Sequence, residues 1–462
     1  FWKDFGNYAF INGELLRYDP EVVAAYKQYR DYMDRDVIYP GIFVDGIHVG
    51  DLTVEEARQL LTANGSDVPN AFSVTVAIGN KTWTVDSSNV PAQRDLGNVL
   101  ERAYAIGRTN TTAIQSTLQT PFRERTNRAV ALRESGINLT TTASYDHEAV
   151  RALVADIAAY VTRDPVDAQI QSFDYATRTF SFTESQPGVT LDQDLLYERV
   201  TAALDRWESG VTVTVDPIVT EPAVTKDELV ASFGLVAAYT TETTNDSNRN
   251  TNIDLACQAI NGTALMPGET FSFNQATGQR TTEKGYKSAG AIAAGQSIEE
   301  VGGGICQVSS TLFNAVARAN LEIVSRSPHA WPSTYVNIGE DATVNWPNLD
   351  FQFKNNTKSP IFIITYYKNR RMSAEIWGMS LGEGVTIDLQ STIIKTIDPP
   401  SEVKYELNTD LPYGTEKTTV KARTGYVVET EKVWYKDGQE TSRELLHTSN
   451  YRAYQQVIEY NY

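Results

Sequence analysis

Between residues 38 and 225 the apolar positions repeat a pattern of helix, hairpin and helix. The first copy opens on the capping box Thr53-Val54-Glu55-Glu56, in which the threonine and the second glutamate cap each other's amides. Residues 72–85 then alternate about Gly79-Asn80, which predicts a hairpin. A second helix is predicted from Leu96 to Ile106, with its apolar residues on one face.

The same order of elements recurs after an offset of roughly 95 residues, which is too long for a solenoid repeat. A helix is predicted after Asp146, residues 170–182 alternate about a turn at Ala176-Thr177, and residues 191–207 form the closing helix. The pattern therefore predicts two tandem α+β repeats, one over 38–137 and one over 138–225.

The segments on either side of the repeats have their own patterns. Val22, Val23, Tyr26 and Tyr29 recur at helical spacing, which predicts a stalk or packing helix within residues 1–37. The polar run Thr240–Thr251 predicts a surface loop or linker.

Beyond this loop the pattern predicts a mixed α/β domain over 226–382. It has a helix that ends at Gly262, a second helix from about Cys306, and strands near residues 350–353, 361–367 and 372–377. After Pro399-Pro400 the chain alternates with little helical signal, so residues 383–462 are predicted to form a small all-β module. The predicted fold class is multidomain α+β.

Composition narrows the classes of partner. The formal net charge is −18, so nucleic acid is not an expected partner, because a polyanion requires a basic surface. With only four histidines and two cysteines, a zinc finger or an iron–sulfur site is not expected, and we expect no cofactor. A carboxylate-rich calcium site stays open, although the sequence contains no EF-hand loop. No apolar run reaches the ~18 residues that cross a bilayer. Because the sequence starts at Phe1 without a signal-like segment, we expect a processing boundary there and any membrane anchor outside this sequence.

Candidate chemistry concentrates in Val301-Gly302-Gly303-Gly304-Ile305-Cys306-Gln307-Val308-Ser309-Ser310. Glycines allow positive φ and close approach of the backbone to another group. They lead into a predicted helix, so Cys306 lies near its N-terminus, where unpaired N–H groups and the helix dipole lower the pKa of a thiol. The N–H groups near Gly303, Gly304 and Gln307 could also bind an oxyanion. Cys306 is therefore the candidate nucleophile.

A thiol nucleophile requires a base, and His329 follows the predicted helix and a short strand. Cysteine before histidine is also the chain order of papain-like enzymes. The base in turn requires an orienting acceptor, for which Asp341 is the first candidate. Ser309, Ser310 and Tyr335 are further candidates for orienting the base or contacting the substrate.

Other interpretations of these residues stay open at the level of sequence. The glycines could form only a tight turn, Cys306 could be a packed small residue, and Cys306 could form a disulfide with Cys257 in an exported protein. Cys257 shares an apolar helix face with Ala256 and Ile260, which favours a buried structural thiol. The other histidines, His48, His147 and His447, are predicted to be structural or exposed.

Residues 252–378 resemble the VanW family. The matching segments, in chain order, are Pro267-Gly268-Glu269-Thr270-Phe271-Ser272-Phe273-Asn274, Gly302-Gly303-Gly304-Ile305-Cys306-Gln307-Val308-Ser309-Ser310-Thr311-Leu312, Pro328-His329, Asp341-Ala342-Thr343-Val344 and Asp350-Phe351-Gln352-Phe353-Lys354-Asn355-Asn356. The two upstream repeats look like the peptidoglycan-binding repeats that accompany VanW domains. The C-terminal module, with Ala422-Arg423 before Gly425-Tyr426, is similar to G-five wall-associated modules.

The resemblance implies an extracytoplasmic protein at the cell surface or cell wall of a Gram-positive bacterium, held at the membrane by an anchor absent from this chain. It implies an L,D-transpeptidase that joins peptidoglycan stems by 3-3 cross-links, with Cys306 as nucleophile and His329 as base. Peptidoglycan is then the partner, as a tetrapeptide donor and a diamino-acid acceptor. The histidine–glycine–cysteine signature of the better-known L,D-transpeptidases is absent, so shared chemistry would be convergent. Two alternatives remain: a thiol peptidase that trims stems, and a non-catalytic peptidoglycan-binding scaffold.

Overall fold

The computed structural model describes residues 2–4, 6–11, 14–21, 23–24, 27–28, 35–108, 122–293 and 296–462. Its α-helices are α1 (Val54–Ala63), α2 (Leu96–Ala105), α3 (Phe122–Ser135), α4 (His147–Val161), α5 (Gln193–Leu204), α6 (Lys226–Ser232), α7 (Ser247–Ile260), α8 (Phe273–Thr277) and α9 (Ile305–Arg318).

The strands are β1 (Trp2–Asp4), β2 (Tyr8–Ile11), β3 (Glu14–Arg17), β4 (Ile42–Val44), β5 (Ile47–His48), β6 (Ser73–Ile78), β7 (Lys81–Asp86), β8 (Ala92–Arg94), β9 (Ile137–Leu139), β10 (Ala143–Tyr145), β11 (Ile170–Asp174), β12 (Thr179–Phe182), β13 (Gly188–Thr190), β14 (Ser209–Thr214), β15 (Ile218–Thr220), β16 (Phe233–Glu242), β17 (Thr263–Leu265), β18 (Thr270–Ser272), β19 (Ser288–Ala293), β20 (Gln296–Val301), β21 (Glu322–Ser325), β22 (Gln352–Lys354), β23 (Ile361–Lys368), β24 (Arg371–Met379), β25 (Val385–Ile397), β26 (Lys404–Leu407), β27 (Thr415–Val420), β28 (Gly425–Lys436), β29 (Gln439–Tyr451) and β30 (Val457–Asn461). The chain is a multidomain α+β protein, as predicted.

The chain forms two compact units, one of Phe1–Pro165 with Pro187–Glu221 and one of Val166–Gln186 with Pro222–Tyr462. The first unit begins with the antiparallel sheet β1-β2-β3. The helix predicted within residues 1–37 follows this sheet: the described residues 20, 21, 23, 24, 27 and 28 are helical, and Val23 is buried in a core of the unit. Gly6-Asn7, a dipeptide that favours a turn, separates β1 from β2. Val22, Tyr26 and Tyr29 of the predicted helix lie outside the described residues.

The two predicted repeats interlock within the first unit. One core contains Ile42, Leu61, Leu100 and Leu132, from β4 and the helices α1, α2 and α3. In the other core, the hairpin β6–β7 packs with α4 and α5, and β6 pairs in parallel with β14. The hairpin of the first predicted repeat therefore completes the core of the second, so the boundary at 137–138 does not separate two independent cores.

The second hairpin, β11–β12, is part of the second unit. Phe173 stacks on Phe362 with ring centroids 4.8 Å apart, and Arg178 Nε lies 2.8 Å from Glu375 Oε2. The predicted repeat 138–225 is therefore not one compact body. Periodicity identified each hairpin correctly, but it carries no information on which core a hairpin joins.

In the second unit, the sheet β16-β24-β23-β17 packs against α7 and α9. The polar run 240–251, predicted as a surface loop or linker, is a loop only over residues 243–246, between the end of β16 and the start of α7. Asp246 caps the helix by accepting from Arg249 N. Thr241 lies in this run and is buried. Its hydroxyl is satisfied there by a 2.8 Å hydrogen bond with the Thr311 hydroxyl of α9. A polar pattern alone did not reveal such a satisfied buried side chain.

The C-terminal module consists of the sheets β25-β28-β29 and β26-β30-β27, and β28 and β29 form the hairpin predicted at Asp437-Gly438. It is all-β, as predicted. None of the helices among the described residues is both long and apolar enough to cross a bilayer.

Candidate active site

The glycine turn places Cys306 as the second residue of α9. Gly302 and Gly304 have φ of 91° and 104°, a region that favours glycine. A Cβ on Gly303 would overlap the carbonyl of Ala289, and a Cβ on Gly304 would lie 2.8 Å from Arg249 Cγ. Both conformation and close packing therefore require glycine ahead of the thiol.

Cys306 is partly buried and lies beside the loop that follows Asp341. Its Sγ donates to Val344 O at 3.4 Å, and the Thr343 hydroxyl approaches Sγ at 3.9 Å. Burial by itself raises the pKa of the thiol, but a hydrogen bond with His329 and the charge of His329 outweigh it, so the pKa of Cys306 lies below its ordinary value. The site therefore favours a thiolate–imidazolium pair.

His329 is buried between the thiol and Asp341. Its Nδ1 lies 2.5 Å from Asp341 Oδ2, and the same oxygen accepts from the backbone N of His329 at 2.7 Å. Burial lowers the pKa of His329, but hydrogen bonds with Asp341 and Cys306 raise it to about 9. The Tyr335 hydroxyl lies 3.4 Å from Nε2. Since Nδ1 is committed to Asp341, Nε2 is the nitrogen available for proton transfer.

Asp341 is buried and has two further partners on Oδ1: Arg326 Nη2 at 3.0 Å and the Tyr451 hydroxyl at 2.5 Å. Burial raises the pKa of this carboxyl, but the His329 hydrogen bond and charge and the Arg326 charge lower it to about 2. The structure thus brings together the three residues predicted for catalysis: His329 is hydrogen-bonded to Asp341, and its charge lowers the pKa of Cys306.

Ser309 and Ser310 do not contact the histidine as orienting groups; both are buried on α9. The Ser309 hydroxyl donates to Ala342 O at 2.6 Å, and the Ser310 hydroxyl accepts from Ala342 N at 2.9 Å. These hydrogen bonds connect α9, the helix that carries Cys306, to Ala342, the residue after Asp341. The prediction of substrate contact is wrong for these two serines, because their hydroxyls are occupied by backbone groups.

The predicted oxyanion donors also need correction. Gly303 N already donates to Glu300 O at 3.1 Å, and Gln307 N donates to Gly304 O at 3.0 Å. The side chain of Gln307 is also buried, and its Nε2 donates to Glu242 O at 2.8 Å, so it supports the fold rather than facing a substrate. Of the amides in this turn, those of Gly304 and Cys306 have no partner within the described residues. These two are the remaining oxyanion candidates.

The C-terminal module contributes residues that the sequence analysis did not find. Gly339 N donates to the Tyr451 hydroxyl at 2.8 Å, and His447 Nε2 donates to Gly339 O at 2.8 Å. Burial and the charge of Arg326 lower the pKa of His447 to about 4, so this ring is neutral at pH 7. A Cβ on Gly339 would lie 2.5 Å from Thr430 Oγ1. The loop before Asp341 is therefore enclosed by β28 and β29.

Cys257 and Cys306 are both free, so the disulfide alternative is wrong. Cys257 is buried on α7, and burial raises the pKa of its thiol above the ordinary value. It has the inert environment predicted for a structural thiol. In the described part of the chain, no three His, Cys, Asp or Glu side chains are grouped to hold a metal ion.

Three family models match the chain. One described as "VanW like protein" matches residues 248–377, one described as "Putative peptidoglycan binding domain" matches residues 83–212, and one described as "G5 domain" matches residues 390–461. The second match starts in β7 and ends in β14, two strands of one sheet, and so follows the interlocked core rather than either predicted repeat.

Two curated relatives are similar in sequence. "Uncharacterized protein YoaR" of Bacillus subtilis (strain 168) is 32% identical over 299 residues, which cover 64% of this chain and 94% of the relative. "Vancomycin B-type resistance protein VanW" of Enterococcus faecalis (strain ATCC 700802 / V583) is 33% identical over 115 residues, 24% of this chain and 42% of the relative.

Two solved structures match parts of the chain. "IgA1 Protease G5 domain structure" is 23% identical with a TM-score of 0.12, and covers 17% of this chain and 92% of that one. "Crystal structure of HP0197-G5" is 14% identical with a TM-score of 0.10, and covers 16% of this chain and 96% of that one. Scores this low support no further argument.

Proposed function

Because this chain belongs to the VanW-like family of cell-wall-associated proteins and carries a peptidoglycan-binding domain, we propose that it is a cysteine L,D-transpeptidase that forms 3-3 cross-links. The observation that carries the proposal is the row Cys306–His329–Asp341, in which a partly buried thiol of lowered pKa meets a histidine held by a carboxylate. Nucleophile, acid–base group and orienting group are the three components of a thiol acyltransferase.

In the first step the Cys306 thiolate attacks the carbonyl carbon of the third residue of a tetrapeptide stem. The amides of Gly304 and Cys306 stabilise the oxyanion, because they have no other partner in the described chain. The carbon–nitrogen bond then breaks, and the imidazolium of His329 gives its Nε2 proton to the departing amine of the terminal D-alanine. A thioester on Cys306 and a neutral His329 remain.

In the second step the side-chain amine of a diamino acid on a neighbouring stem attacks the thioester carbonyl. Neutral His329 takes the proton of that amine, and the sulfur leaves as a thiolate. A new amide joins the two stems, and the thiolate–imidazolium pair is restored. The cycle thus begins and ends with the Cys306 thiolate and the His329 imidazolium. Asp341 stabilises the imidazolium each time it forms.

The surrounding modules have roles in this proposal. The peptidoglycan-binding domain supplies binding energy away from the reacting bond, which lowers the barrier if it positions the stem at Cys306. In this proposal the protein acts at the surface of a Gram-positive cell.

The test is product analysis with purified disaccharide-tetrapeptide as both donor and acceptor. We expect wild type to release D-alanine and accumulate a cross-linked dimer, and Cys306→Ala to do neither. The matched control Cys257→Ala should retain activity, because Cys257 is buried and burial raises the pKa of its thiol. A shortened monomer without dimer would instead identify a stem peptidase, with water as acceptor. Intact substrate with every folded variant would favour a non-catalytic scaffold.

A further inference from the structure

The guanidinium nitrogens of Arg280 are buried without a hydrogen-bond partner among the described residues. Its Nε, Nη1 and Nη2 are each inaccessible to solvent, and none has a hydrogen-bond partner within the described part of the chain. A guanidinium carries five N–H donors, and burying a charge without a partner is strongly unfavourable. A residue in this state is expected to be retained for something other than stability.

Arg280 lies at the glycine turn that carries the nucleophile. Its Cβ and Cγ pack against Gly302, 3.1 and 3.4 Å from the position that a Cβ would occupy there. The guanidinium carbon is 5.5 Å from the centroid of the Phe273 ring. Burial lowers the pKa of Arg280, and the negative forms of Tyr286, Cys306 and Asp350 oppose that effect, so the thiolate is within electrostatic reach.

Asp350, the acidic residue near Arg280, already accepts hydrogen bonds on both carboxylate oxygens. Asp350 Oδ2 accepts from the Ser272 hydroxyl at 2.5 Å and from Gln352 Nε2 at 2.9 Å, and Oδ1 accepts from Asn274 N at 2.8 Å. Asp350 therefore affects Arg280 through its charge but forms no hydrogen bond to it. The guanidinium fork has no hydrogen-bond acceptor among the described residues, and its geometry matches a carboxylate. Because its nitrogens are closed off from solvent, an external carboxylate reaches it only after neighbouring side chains move.

We propose that Arg280 binds the terminal carboxylate of the donor peptide and thereby restricts the substrate to peptides with a single residue beyond the scissile carbonyl. This inference rests on the proposed acyl transfer at Cys306. In such a peptide only three covalent bonds separate the scissile carbonyl carbon from the terminal carboxylate carbon, so the two groups must bind close together. A buried cation beside the nucleophile suits that substrate, whereas an internal peptide bond would leave the cation unpaired.

Arg280 is a specificity residue in this account, and its effect differs from that of a residue that only tunes the thiol. Loss of a thiolate partner would weaken the reaction with every donor equally. Loss of a carboxylate receptor removes the preference for a free acid over the corresponding C-terminal amide, because the amide is neutral and cannot form the charged pair.

The test is calorimetric binding of two synthetic stem tetrapeptides, one with a free C-terminal acid and one with a C-terminal amide, to the Cys306→Ala protein. This background blocks acylation, so the result does not depend on turnover. We expect the acid to bind about 10- to 100-fold more tightly than the amide, as for a charge-assisted pair. Adding Arg280→Met should abolish the difference, and Arg280→Lys should keep part of it.

The matched control is Arg371→Met, since Arg371 is exposed on β24 and its ion pair among the described residues is with the exposed Glu242. Thermal melting separates binding from folding: removal of an unpaired buried charge should leave Tm unchanged or raise it. Equal affinity for acid and amide, binding to neither, or a preference that survives Arg280→Met would overturn the inference. The wild-type product assay judges the proposed acyl transfer separately.

Discussion

The hydroxyl of Tyr451 donates to Asp341 Oδ1 at 2.5 Å, although the two residues belong to different modules. Tyr451 ends β29 of the C-terminal module, and the same hydroxyl accepts from Gly339 N at 2.8 Å. One buried phenol thus holds both the orienting carboxylate and the loop before it. The C-terminal module is therefore part of the structure that fixes His329.

Tyr451→Phe should weaken this support without creating a large cavity. Gly339 N loses its acceptor and Asp341 loses one of its donors, so we expect unfolding in urea to become easier by about 1–3 kcal/mol. We also expect slower alkylation of Cys306 at pH 7, because a less firmly held Asp341 stabilises the imidazolium less well. Tyr413→Phe is the control, since Tyr413 is 85% exposed on the same module. Identical behaviour of the two variants would contradict a positioning role for Tyr451.

The pH dependence of Cys306 alkylation by iodoacetamide reports the thiolate directly. Because the pKa of this thiol is lowered, the thiolate forms below the pH at which an ordinary thiol ionises, and the alkylation rate should rise at lower pH than that of an ordinary thiol. His329→Ala should move the rise to higher pH and slow the reaction at pH 7 about tenfold. Turnover should fall above about pH 9, where His329 loses its proton. A profile unchanged by His329→Ala would exclude the ion pair.

Asp341→Asn should reduce both stability and reactivity. The substitution leaves buried Arg326 without its charged partner, so we expect a loss of about 3–5 kcal/mol in the free energy of unfolding. The pKa of Asp341 is lowered to about 2, so its stabilisation is present above the pKa of the unfolded carboxyl and is lost as pH falls toward 2. The difference between wild type and variant should therefore shrink in urea titrations at pH 3. The control is Asp410→Asn, which is exposed; a loss that does not change with pH would contradict this assignment.

Gly303→Ala tests the packing of the turn. The added Cβ would overlap Ala289 O, which is backbone and cannot rotate away, so we expect a loss of at least about 1–3 kcal/mol. Gly234→Ala is the matched control, because a Cβ there has no neighbour within 4 Å. Thermal melting of the two variants compares them, and equal Tm values would mean that the turn adapts without cost.

Local patterns predicted much of the site. Three glycines before an apolar helical face predicted the position of Cys306, and the spacing to Pro328-His329 and Asp341 allowed the row that the structure contains. Arg280, Arg326 and Tyr451 were not found, because each acts through contacts distant in sequence and none stands in a recognisable word. A buried tyrosine in an alternating strand has the same pattern as any core residue.

In the two predicted repeats, too, local sequence predicted the elements but not the contacts between elements distant in the chain. The capping box at Thr53 and the hairpin at Gly79-Asn80 were predicted from local sequence and are confirmed. The pairing of β6 with β14 and the packing of Phe173 on Phe362 depend on which apolar faces meet, and periodicity does not encode that choice.

Intact mass of the protein after brief incubation with disaccharide-tetrapeptide tests the central claim most directly. Wild type should gain the mass of the donor minus D-alanine, as a thioester that hydroxylamine removes, and Cys306→Ala should gain nothing. A folded wild-type protein with a free Cys306 thiol that forms no adduct and consumes no donor would contradict the account.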